Sequence, residues 1–119
     1  MLSTGVDIIE IERIQRAISR WGGRFLNRVY TPAELFLCRG RVPELAVRFA
    51  GKEAISKALG TGLVGIKWLE MEILSDPRGK PLVRLHGQAQ ARAAEIELAD
   101  FAISLSHSRL YAVASVVAG

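Results

Sequence analysis

Alanine recurs every fourth residue at Ala46, Ala50, Ala54 and Ala58, and this row constrains the fold more than any other feature of the chain. Residues four apart share one face of an α-helix, so the row forms a smooth ridge that another element can approach closely. Pro43 can open such a helix and Gly60 and Gly62 can stop it, so a helix is predicted from Pro43 through Leu59. The neighbouring row reads Leu45, Phe49, Glu53 and Lys57, which sets a carboxylate beside a packed face. Within RFAGKEAISKALGTG, Arg48 to Gly62, that carboxylate stands between Lys52 and Lys57. A plain Glu53–Lys57 pair, contributing roughly 0.2–0.5 kcal/mol, accounts for this without any ligand. A second carboxylate nearby would change that balance.

Asp7 supplies one. It stands between Val6 and Ile8 in the run Leu2 to Ile9, which alternates and is rich in β-branched residues, so a strand is predicted there. A lone carboxylate is expensive to bury in such a run unless it is paired or bound to a cation. A strand-end or helix-capping aspartate is the alternative. Gly5 signals a bulge or a close backbone approach. Two carboxylates with lysines near them suit magnesium, which takes one or two protein carboxylates and fills its shell with water and phosphate oxygens. Lysine serves phosphate as a point charge. Zinc is not indicated, because there is one cysteine and neither His86 nor His107 has ligand spacing.

The remaining elements follow from local signals. Glu10 to Trp21 has helical spacing with Ile11, Ile14 and Ile18 inward, and Gly22-Gly23 ends it. Thr31-Pro32-Ala33-Glu34 is a capping box with proline at the first helical position, predicting a short helix to about Cys38. Leu69, Met71 and Ile73 alternate with Glu70 and Glu72, giving a strand with one wet face, and Asp76 to Gly79 turns the chain into a partner strand from Pro81 to His86. Gln88 to Leu98 is an alanine-rich helix. Phe101 to Leu105 and Leu110 to Val117 form a last hairpin. The expected fold is a single α+β domain spanning residues 1–119, in the order strand, three helices, two strands, helix, two strands.

Length and charge narrow the partners. The 119 residues suffice for one domain with a core. Half of them are hydrophobic and the mean hydropathy is +0.21, rich for a small monomer, so self-association is expected. The single cysteine, Cys38, leaves nothing dependent on an oxidising compartment. The start MLSTGVDIIE lacks a signal-peptide pattern, and no apolar run approaches the roughly 20 residues of a membrane span, so a cytoplasmic location and no membrane partner are expected. The net charge is +4, and from Arg13 to Lys52 nine basic residues face only Glu34 and Glu44, which implies an anionic partner. Arg13, Arg16 and Arg20 share one helix face, as a docking surface or as a solvated stripe.

SLSHS, Ser104 to Ser108, ends a strand before the last hairpin partner, so His107 and its flanking hydroxyls are either a phosphate or ribose contact or a turn. Serine hydrolase chemistry is not supported, since there is no G-x-S-x-G elbow and Ser106 and His107 point to opposite faces of a strand. There is no Walker A loop either, and Gly60-Thr61-Gly62 is a weak phosphate signal.

Three segments together resemble the holo-acyl-carrier-protein synthases, the small trimeric branch of the 4′-phosphopantetheinyl transferases. GVDIIEIERI resembles the family's G-x-D-x-x-x-x-x-R-I signature, RFAGKEAISKALGTG its R-F/W-A-x-K-E-A-x-x-K-A-x-G-T-G signature, and SLSHS its S-I/L-S/T-H-S/T element. The resemblance runs from about Leu2 to Val117. It implies transfer of the 4′-phosphopantetheine arm of coenzyme A to a serine of an apo acyl carrier protein, in fatty acid biosynthesis. It further implies a homotrimer with interfacial active sites. By matching position, Asp7 and Glu53 would hold magnesium, Lys57 would touch the pyrophosphate, and Arg48, His107 and Ser108 would contact the nucleotide end. The base is either Glu53 or a water beside Asp7. The acidic carrier would dock on Arg13, with Arg20, Arg24 and Arg28 as further contacts and Phe25 as an apolar anchor. Lys52, Arg39 and Arg41 carry no assigned role. Gly51 replaces a common alanine, which should loosen its helix by roughly 1 kcal/mol.

Two other readings compete. A basic RNA-binding module fits the pI near 9.7, but the aromatics are few and Phe25 is the only one read as close to the arginine stripe, so no nucleic-acid partner is expected. An unrelated magnesium-dependent phosphotransferase is the third.

Overall fold

A computed structural model describes all residues, 1–119, as an α+β domain with extents of 39 × 26 × 26 Å. Strand β1 (Ser3–Glu10) leads into helices α1 (Ile11–Trp21), α2 (Gly23–Val29), α3 (Pro32–Cys38) and α4 (Val42–Ala58). A 3-10 turn (Trp68–Glu70) precedes the hairpin of β2 (Met71–Ser75) and β3 (Pro81–Leu85); helix α5 (Gly87–Glu95) and the hairpin of β4 (Phe101–His107) and β5 (Tyr111–Ala118) complete the chain. The order therefore contains four helices, not three, between the first strand and the β2–β3 hairpin. Gly22 does break the helix, with φ 54° and ψ −130°, but the chain re-enters helical geometry at once at Gly23. No helix is long and apolar enough to cross a membrane.

One antiparallel sheet runs β1-β5-β4, and β2 pairs with β3 in a second. Alternation along the strands decides the two faces of the larger sheet. Gly5, Asp7 and Ile9 of β1 share its inner face with Ala112, Ala114, Val116 and Ala118 of β5 and with Ile103 of β4. The four β5 residues are all buried, while Val6 and Ile8 are turned outward and exposed.

Helix α4 lies across this inner face, and its alanine row is fully buried, with Ala46, Ala50 and Ala54 at 0 % exposure. The predicted close approach is real. A Cβ on Gly5 would overlap the Ala54 carbonyl oxygen, so only glycine lets β1 sit this near the helix. Gly51 has a similar reason to be small, because a Cβ there would come 2.5 Å from Ile73 Cδ1.

The Thr31–Glu34 capping box forms as expected, with Thr31 Oγ1 accepting from Glu34 N at 3.2 Å and Glu34 Oε1 accepting from Thr31 N at 2.9 Å. The Asp76 turn also forms, its Oδ1 accepting from Arg78 N and Lys80 N. The wet face predicted for β2 does not exist at Glu72, which is 8 % exposed. Thr31 Oγ1 donates to Glu72 Oε2 at 2.6 Å and His86 Nε2 lies 3.0 Å from Oε1, so the start of α3 and the end of β3 cover that carboxylate. Residues 68–70 form the 3-10 turn instead of strand, and α5 ends at Glu95, short of Leu98, before Glu97 takes a φ of 60°.

The β1–α4 contact yields a prediction. Gly5→Ala should destabilise the fold by about 3 kcal/mol, the upper end of over-packing costs, because the obstacle is backbone. Urea denaturation measures this, and an unchanged midpoint would show that the two elements can separate freely.

Candidate active site

Asp7 projects from the inner face of β1 toward the last turns of α4. Lys57 Nζ donates to Asp7 Oδ1 at 3.1 Å and to the Val6 carbonyl at 2.9 Å, tying helix to strand. Glu53, one turn earlier on α4, is part-buried, and its carboxylate makes no hydrogen bond or ion pair within the chain. Burial pushes its pKa up, the nearby Asp7 charge pushes it the same way, and Lys57 opposes both. The plain Glu53–Lys57 pair that the sequence also allowed does not form; Lys57 pairs with Asp7 instead, with Glu53 left as an unpartnered acid beside it. No cluster of three or more His, Cys, Asp or Glu side chains is present. The donor set is two carboxylates, which is enough for a hard cation that also binds phosphate oxygens.

A second region lies toward the other end of α4. Arg48, His107, Glu44, Ser75, Gly79 and Pro81 help line a cleft of about 200 Å³. Arg48 is only 4 % exposed, and its guanidinium donates to Ile73 O at 3.0 Å, Ser75 Oγ at 3.1 Å and Glu44 Oε2 at 3.3 Å. It therefore presents a fixed charge held by three acceptors. His107 is exposed. Ser108 holds the β4–β5 turn, its Oγ accepting from Tyr111 N at 3.1 Å and Leu110 N at 3.3 Å. Ser106 and His107 fall on opposite faces of β4, as strand geometry requires.

Arg20, Arg24 and Arg28 gather around an aromatic that the sequence expectations do not include. Trp21 is 49 % exposed and lines a pocket of about 380 Å³ with Arg24, Phe25 and Arg28. Arg20 Cζ lies 4.9 Å and Arg24 Cζ 6.0 Å from the Trp21 ring centre. Arg13 and Arg16 are exposed on α1. Phe25 is half-buried and turned inward, at 6.1 Å from Tyr30 and 6.3 Å from Phe49, so the exposed aromatic of this surface is Trp21. The signal for it in the sequence is its place beside Arg20 at the end of a helix.

Three residues without assigned roles also find places. Arg41 caps α3, donating to Cys38 O and Leu37 O at 3.0 Å each. Arg39 takes a left-handed φ of 51° and lies 5.9 Å from the Phe36 ring. Lys52 is fully buried against Glu34.

A pair of acids across a strand and helix, with a lysine beside them and a basic cleft further along, suits a protein that handles a phosphorylated substrate. Comparison with known proteins agrees. The sequence profile of the 4′-phosphopantetheinyl transferase superfamily matches residues 3–114. The holo-acyl-carrier-protein synthase of Herpetosiphon aurantiacus is 53 % identical, covering 98 % of each chain, and that of Dehalococcoides mccartyi is 54 % identical, covering 99 % of this chain and 98 % of its own. The crystal structure of Helicobacter pylori holo-acyl-carrier-protein synthase in complex with coenzyme A superposes with a TM-score of 0.89 at 32 % identity, covering 98 % of this chain and 99 % of that one. The chain belongs to the 4′-phosphopantetheinyl transferase superfamily and, within it, to the holo-acyl-carrier-protein synthases, which are transferases.

The acid pair is testable by titration. In Asp7→Asn, Glu53 should titrate closer to its ordinary value, because a negative neighbour is gone; in Lys57→Met it should move further up, because a positive one is gone. Carboxyl ¹³C NMR reads both shifts, and no movement in either variant would separate Glu53 from the other two groups.

Proposed function

We propose that this chain transfers the 4′-phosphopantetheine arm of coenzyme A to a serine hydroxyl of an apo acyl carrier protein, with magnesium, in the cytoplasm and in the service of fatty acid biosynthesis. The observation that carries the reading is the unpartnered Glu53 carboxylate beside Asp7 and Lys57. The serine oxygen forms a bond to the phosphorus that bears the arm, the pyrophosphate P–O bond breaks, and adenosine 3′,5′-bisphosphate leaves. Such a transfer needs charge neutralisation and in-line positioning more than covalent help from the protein.

Asp7 and Glu53 would hold the magnesium, which supplies neutralisation of the pyrophosphate charge. Lys57 has an amine that can turn from Asp7 to a phosphate oxygen, since it is half exposed. The serine proton goes to Glu53 or to a water beside Asp7. Arg48 and His107, which line one cleft, are assigned to the nucleotide end, with Ser108 holding the turn that carries His107.

The acidic carrier is assigned to the surface of Arg13, Arg20, Arg24 and Arg28. Trp21 joins Phe25 as an apolar anchor, since both line the pocket with Arg24 and Arg28. Charge of this kind speeds encounter and is weakened by salt. A homotrimer with interfacial sites is supported by the outer sheet face, where Val6, Ile8 and Val117 are 59 %, 64 % and 44 % exposed.

Mixing the protein with coenzyme A, magnesium and an apo carrier should add the mass of the arm to the carrier, read by mass spectrometry; RNA binding without that addition would support a binding module instead. Asp7→Asn and Glu53→Gln should each lower kcat by roughly 10²–10³ without unfolding the chain. Light scattering should give three times the chain mass at micromolar concentration, and a monomer would contradict the trimer.

A further inference from the structure

Lys52 and Glu34 are both at 0 % exposure. Lys52 Nζ donates to Glu34 Oε1 at 2.8 Å and to Trp68 O at 3.0 Å, while Glu34 Oε2 accepts from Ile73 N at 2.9 Å. Lysine and glutamate are rarely buried this completely unless paired, and a buried pair is not in itself a gain in stability. Burial favours the neutral amine of Lys52, and the Glu34 charge opposes that. The pair joins α4 to α3, to β2 and to the 3-10 turn, on the side of the helix away from the β1-β5-β4 sheet.

Two facts give this tether a consequence for the site. The seam between α4 and the sheet is made largely of alanine and glycine, which permit close approach, so the helix's rotation is held by the larger side chains buried on its other side, Lys52 among them with Leu45, Arg48 and Ile55. Lys52 also immediately precedes Glu53, so any rotation of α4 moves Glu53 and Lys57 together. Side-chain tips lie roughly 5–6 Å from a helix axis, so a turn of about 10° displaces them by about 1 Å. A misplacement of that size can lower a rate by roughly 10².

We propose that the buried Lys52–Glu34 pair is a positioning device that sets the rotation of α4 and so holds Glu53 and Lys57 opposite Asp7. The inference rests on the function proposed above for those three residues. Lys52 and Glu34 are positioning residues and touch no substrate.

The test compares wild type with the neutral, similarly shaped double variant Lys52→Met, Glu34→Gln. Arm transfer is measured well below the melting temperature, and the Lys57 Nζ to Asp7 Oδ1 distance is measured by crystallography. The expected result is a folded protein whose kcat falls roughly a hundredfold, whose KM for the carrier is little changed, and whose Lys57–Asp7 contact is broken. Wild-type kcat, or a contact kept at its present length of 3.1 Å, would overturn the proposal. If the double variant does not fold, Glu34→Gln alone is judged by the same two measures. If wild type itself transfers no arm, the proposed function fails, and the contact distance alone decides this inference.

Discussion

The contact between Gly5 and the Ala54 carbonyl is the constraint on which the rest of the structure depends. A side chain at position 5 would drive β1 off α4, and with it Asp7 away from Glu53 and Lys57. The alanine row on the helix and the small inner residues of β5 extend the same close fit along the sheet. Sheet and helix therefore meet through small residues, and the acidic side chains flanking that seam are brought together as a result. The packing of the fold and the geometry of the site have one origin.

The opposite side of α4 has a different chemistry. Arg48 and Lys52 stand four residues apart and both reach away from the β1-β5-β4 sheet, the first to Ile73 O and Ser75, the second to Glu34 and Trp68 O. Buried charges of this kind are tolerated only when their donors are satisfied, and no buried side-chain polar atom in the protein lacks a partner. Glu53 is the contrast. It is less buried than these groups, yet has no partner, so its protonation is set by burial and Asp7, which raise its pKa, against Lys57, which lowers it. Satisfied charges hold the helix on one side, and an unpaired acid lies on the other.

Features encoded within a few residues were legible in the sequence. The Thr31–Glu34 box, the Asp76 turn, the alternation of β1 and the stop at Gly60 all depend on local chemistry, and all appear in the structure. What escaped depends on residues far apart in the chain. Glu72 reads as solvent-facing until Thr31 and His86 close over it, and Lys52 has no assignable role until Glu34 arrives from α3. The second helix, α2, was hidden because Gly22-Gly23 reads as an end, although here it is a hinge between two helices. Asp7, Glu53 and Lys57 were legible through their resemblance to family motifs and their spacing; the Lys57–Asp7 pairing needed the fold.

The most direct test of the central claim is an anomalous-scattering map from crystals grown with coenzyme A and manganese in place of magnesium. A metal peak is expected about 2.1 Å from carboxylate oxygens of both Asp7 and Glu53, with a pyrophosphate oxygen completing part of its shell. Coenzyme A bound with its pyrophosphate elsewhere, or a metal held by other residues, would contradict it.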